Sequence, residues 1–119
     1  RIGKVDLMIA DNHGNDAANS SQLLASVRPT TVLVSNGPTK GADGPALDRI
    51  TAVTGLDATW QVHFATRSPE KNAPEAQIAN LGAGAADAAH PLIVSITKAG
   101  DVTFANPRTG GSRTYPKAR

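Results

Sequence analysis

The chain has three histidines, His13, His63 and His90, and no cysteine. Metal, acid–base or nucleophilic chemistry would have to be assembled from these rings together with carboxylates and hydroxyls. No two of the histidines stand within four residues of each other, which removes every compact histidine zinc motif as a self-contained site. His13 is the most suggestive. It lies with Asp11 in the polar break Asp11-Asn12-His13-Gly14-Asn15-Asp16, directly after the apolar positions Val5, Leu7, Met8 and Ile9. An imidazole just past a buried strand can reach a cleft, so His13 is a candidate metal ligand or general base, and Asp11 and Asp16 could act as paired carboxylates. The plainer alternative is a turn histidine bonded to backbone, with Asp11 and Asp16 in turn and capping roles. His63 falls inside a strand, on the face opposite Trp60 and Phe64, and reads as a hydrogen-bonded structural histidine. His90 follows an alanine-rich run and is expected to face water. The loop GPTKGADG offers glycines and a lysine but not the G-x-x-x-x-G-K-[ST] spacing that cradles phosphate. No G-x-S-x-G elbow surrounds Ser20, Ser21 or Ser35.

These residues need elements to hold them. The stretch Lys4–Ala10 has the pattern of a buried strand, and the break after it is dense in turn formers. Ser20 or Ser21 can cap a short helix whose Leu23, Leu24 and Val27 fall at helical spacing, and Pro29 ends it. Residues 30–36 form a β-branched run of strand length. Pro45 suits the first turn of a second helix, with Leu47, Ile50 and Val53 or Thr54 on one face and Gly55 as a left-handed stop. WQVHFAT alternates as a half-buried strand does, with Trp60, Val62 and Phe64 on one side. Strands alternating with helices predict an α/β fold with parallel pairing, and ligand groups then gather in loops at the carboxyl ends of the strands. The loops opening at Asp11 and Asn36 and the segment after Phe64 would share one rim. Residues 67–91 read as a long surface excursion, with a helical turn near Pro74 to Leu81. The chain then returns as two strands around Ala99-Gly100-Asp101, a β-hairpin, and residues 108–119 read as a loose tail.

Composition narrows the function classes. A chain of 119 residues implies one small domain. Glycine and proline, at 11 and 8, argue against a helical bundle or coiled coil. No apolar run is long enough to span a bilayer, and no signal-peptide pattern opens the sequence. Without cysteine there is no disulfide framework and no thiolate metal site. The formal net charge is only +2. The basic residues Arg108, Arg113, Lys117 and Arg119 cluster at the end, where a solvated tail is the expected reading. The four aromatics form no stacking platform, so nucleic acid is not the expected partner.

The stretch KVDLMIADNHGN followed by SSQLLASVRPTTVLVSNG resembles the last part of metallo-β-lactamase-fold hydrolases. The similarity is to the branch with the hydrolase-like domain of bacterial DNA-uptake channel proteins. In that branch a strand ends in a His-His-Gly-Ser-like turn, followed by a short helix, a proline-led strand, another helix and a closing hairpin. Here Asn12-His13-Gly14-Asn15 stands at the turn and AGDVTF at the hairpin. The resemblance implies a mixed sheet with helices on one face, the C-terminal half of an αββα sandwich, and hence a partial domain. It implies zinc in the full-length family. Here, however, Asn12 replaces the first histidine of the turn, and the upstream H-x-H-x-D-H motif does not occur. No cofactor is therefore expected in isolation, and no catalysis. Half of such a sandwich would bare an apolar sheet face built partly from Val32, Val34, Val62 and Phe64, which implies a homo-oligomer or a missing N-terminal half as partner. Two other functions fit the same residues: a stand-alone α/β binding or assembly module without metal, and a hydrolase whose site is completed across a dimer by Asp11 and His13. Exported and cytoplasmic locations are both compatible.

Overall fold

The computed structural model describes residues 2–118. It is an α/β fold in three layers. Four strands, β1 (Leu7–Ile9), β2 (Thr31–Val34), β3 (Ala58–His63) and β4 (Ile78–Asn80), form a parallel sheet in sequential order. Three more, β5 (Ile93–Ile96), β6 (Val102–Asn106) and β7 (Gly111–Tyr115), form an antiparallel sheet. Helices α1 (Ser21–Val27) and α2 (Gly44–Thr51) make the two crossovers β1–β2 and β2–β3. The parallel and antiparallel strands, expected in one mixed sheet, sort into two sheets that pack on each other.

Local chemistry accounts for the helices. Ser20 caps α1, its hydroxyl accepting from the Leu23 amide at 3.2 Å. Arg28, pushed out of the helical region by Pro29, takes a left-handed conformation with φ 41° and closes the helix by donating its amide to Leu24 O. Pro45 lies in the first turn of α2. That helix stops at Thr51, short of the expected Gly55. Two successive turns then follow, Val53 N to Ile50 O and Leu56 N to Val53 O, and Gly55, at φ +83°, serves the second of them.

Each face of the parallel sheet has its own cover. On one side Leu24, Leu47 and Ile50 of the helices close over Ala10, Val32 and Val34. On the other, Ala58 and Trp60 meet Val102, Phe104 and Tyr115 of the second sheet, with Leu7, Leu33 and Val94 at the margin. Trp60 stacks on Phe104 at 4.9 Å and 6°, Phe104 meets Tyr115 edge-on at 6.1 Å, and the Trp60 indole donates to the Tyr115 hydroxyl at 3.0 Å. The expected bare apolar face is therefore absent among the described residues: Val32 and Val34 are fully buried under the helices, and Val62 and Phe64 are partly covered. The argument that a partner must cover that face falls with it.

Two further expectations are corrected. Residues 67–91 are not one surface excursion. Short 3₁₀ turns at Pro69–Lys71 and Glu75–Gln77 lead into β4, whose Ile78, Ala79 and Asn80 are all buried. This stretch is held by side-chain amides where a run of apolar residues would otherwise be needed. Asn72 accepts from Gln61 Nε2 at 2.8 Å and from the Ala65 amide at 2.7 Å, and donates to the carbonyls of Ala65, Ser68 and Pro69. Nor are residues 108–119 a loose tail. A turn built on Asn106, whose carbonyl accepts from Thr109 and Gly110, folds β7 back onto β6. Arg108 donates to the carbonyls of Glu75 and Ile78, and Arg113 lies 5.1 Å above the Tyr115 ring, so both cations are engaged within the fold. Beyond β7 the Ala118 amide bonds to the Asp6 carboxylate, clasping the two ends of the described chain together. Arg119 lies outside the described residues.

Candidate functional site

The carboxyl ends of β1, β2 and β3 do share a rim. At its β1 corner three successive residues are left-handed: Asn12 (φ 46°), His13 (φ 58°) and Gly14 (φ +75°). For the two non-glycine residues this conformation costs about 1–3 kcal/mol each, and it persists only where the surroundings fix it. Here they do. Asn19 brackets Asp11, accepting from its amide at 2.8 Å and donating to its carbonyl at 2.9 Å. The loop after β2 donates back to the turn, Ala42 N to His13 O at 2.8 Å and Asp43 N to Gly14 O at 3.0 Å. Gly41 passes so close that a Cβ there would lie 2.0 Å from His13 O. From α2, Arg49 reaches over residues 16–19, pairing with the Asp16 carboxylate at 3.0 Å and donating to the carbonyls of Asp16, Ala18 and Asn19.

This turn presents His13 in a defined way. Its Nδ1 lies 2.7 Å from Ser35 O. A carbonyl can only accept, so Nδ1 carries the proton in this contact, and Nε2 is the nitrogen left for other contacts on an exposed residue. An imidazole tied at one nitrogen and open at the other has the outer-sphere arrangement that ligating histidines use. Asp11 is exposed beside it, but no group of three or more His, Asp or Glu side chains that could hold a metal ion occurs among the described residues. The donors present do not fit a zinc centre, since even a catalytic site needs three protein ligands.

The other two histidines lie further along the rim. His63, at the end of β3, is half-buried, with Nδ1 2.8 Å from Asn36 O and Nε2 2.8 Å from Asp87 Oδ2. The carbonyls of Ser35 and Asn36, consecutive residues after β2, thus anchor His13 and His63 respectively. Both ring nitrogens of His63 thus have hydrogen-bonding contacts, as expected. His90 has its backbone clamped by Asn80, whose Oδ1 accepts from the His90 amide at 2.7 Å and whose Nδ2 donates to its carbonyl at 2.8 Å. The GPTKGADG loop spends the amides of Ala42 and Asp43 on the turn carbonyls, so they are not turned toward a phosphate.

Sequence reasoning passed over Asn19, Asn36, Arg49, Asn80 and Asp87. Asp87 alone left a usable signal: a single carboxylate in a run of glycine and alanine. Its pKa is lowered, first by the hydrogen bond from the Ala89 amide and then by the hydrogen bond and charge of His63. Comparison with protein-family models, with curated proteins and with solved structures returned no match to this chain.

Proposed function

We propose that this chain is the C-terminal part of a metallo-β-lactamase-fold, metallohydrolase-like protein and does not catalyse by itself. One observation carries the reading: the strained turn Asn12-His13-Gly14 at the end of β1, locked on both sides, holds one imidazole with Nε2 turned outward. Strain of this kind concentrates where a side chain must be aimed. The same turn carries the resemblance in the sequence. With Asp11 and His13 as the only candidate donors there, the chain supplies one wall of a site, and further ligands would have to come from outside it.

A second reading, a metal-free α/β binding or assembly module, is favoured by the internal cover over both faces of the parallel sheet. The homodimer loses the apolar face that motivated it, and the hydrolase completed across a dimer rests on Asp11 and His13 alone.

Zinc titration by calorimetry, paired with molar mass by light scattering, separates the shared-site hydrolase from the other two readings. The reading expects no stoichiometric zinc and no hydrolysis of simple ester or phosphodiester substrates. About one zinc per chain, abolished by His13→Ala, would overturn it, and with a dimer mass would establish the shared site.

A further inference from the structure

Residues 82–89, Gly-Ala-Gly-Ala-Ala-Asp-Ala-Ala, contain one side chain larger than a methyl group, Asp87. The segment leaves β4 at a fixed base, where Asn80 clamps His90. Its own backbone bonds, Ala86 N to Ala83 O and Asp87 N to Gly84 O, stay inside it. Among the described residues, the contact of Asp87 Oδ2 with His63 Nε2 is the one side-chain hydrogen bond that fastens its interior to the rest of the fold.

That contact has a stereochemical condition. His63 faces a backbone carbonyl at Nδ1 and a carboxylate at Nε2, each at 2.8 Å, and neither oxygen can donate. Both contacts are satisfied only when both ring nitrogens carry protons. With one proton, whichever nitrogen keeps it, the other points a lone pair at an oxygen. We propose that residues 82–89 form a proton-operated latch, fastened to the end of β3 while His63 carries both ring protons and Asp87 is ionised, and released when either condition fails.

The ionisable groups acting on Asp87 are His63 and, from the far end of the loop, His90. The neighbouring ends of β2 and β4 contribute only the amides of Asn36 and Asn80. The sign follows for each partner. Because the Asp87 pKa is lowered in the folded chain, its bond is fully present above the ordinary carboxylate value and is lost as pH falls through the lowered one. The ring condition is of the opposite kind, since it needs a proton on each nitrogen of His63 where the carboxylate must have none. The latch is therefore closed over a window bounded on both sides. Leu81, the residue before the segment, lines a groove of about 290 Å³ with Phe64, Ala73, Glu75 and Ile78, so release frees the chain at that groove's wall.

Amide exchange by NMR, corrected for intrinsic rates, tests this at Asp87, Ala89 and His90. As the pH is raised, protection at Asp87 and Ala89 should fall about tenfold, in step with loss of a ring proton read from the His63 nitrogen resonances. His90, held by an amide that does not titrate, should keep its protection. In Asp87→Asn the step should vanish, because a side-chain amide can accept from or donate to the ring. Flat protection in the unaltered chain, or the same step in Asp87→Asn, would overturn the latch.

Discussion

His13 and Gly41 are a matched pair across the rim. The left-handed His13 directs its carbonyl into the loop after β2, and only a residue without a side chain passes there, at φ +71°. Gly41→Ala should destabilise the fold by about 2 kcal/mol or more, read as a lower urea midpoint with unchanged slope. The substitution should also loosen His13 from Ser35, visible as a shift of the ring resonances, because the amide next to Gly41 is the one that holds His13 O. The aim of the His13 imidazole thus depends on a backbone position that carries no chemistry of its own.

At the scale of elements, β7 is held by its last residue. Tyr115 is the one buried side chain of that strand, and its hydroxyl receives the Trp60 indole. Tyr115→Phe keeps the ring contacts but leaves a buried donor without a partner, so a loss of about 1–3 kcal/mol in denaturant unfolding is expected. A smaller loss would mean that water replaces the hydroxyl. This strand also shows where the sequence stops being legible. The helices, β1 to β3 and the hairpin of β5 and β6 announce themselves by capping residues, prolines and apolar alternation, which are local signals. β7 has glycine, serine, arginine and threonine before Tyr115, and β4 has one bulky apolar residue. Neither pattern marks a strand by itself; each is fixed by its partners, β6 across a short turn for one, β3 and the amides of Gln61, Asn72 and Asn106 for the other. At the rim, Asp11 and His13 stood out by type and spacing. The asparagines and Arg49 that fix them did not, since an amide's role depends on which carbonyls the fold brings to it.

At the scale of the whole molecule, the parallel sheet is enclosed by its own chain, with helices on one face and the antiparallel sheet on the other. The clasp between Asp6 and Ala118 adds a covalent possibility to this enclosure. Segments near the two ends of the described chain, held side by side, can be joined by a few residues and the polypeptide reopened elsewhere without rerouting any strand. The natural place to cut is between Ala85 and Ala86, both exposed and in the segment with the fewest ties to the core. A permuted chain beginning at Ala86 and ending at Ala85 should keep the far-ultraviolet dichroism of the original and unfold cooperatively; a molten spectrum would show that the order of synthesis matters to this fold. If it folds, the strand order is a property of the closed ring of contacts, and the position of the break in that ring is free to be chosen, for example to carry a label or a fused domain beside His63.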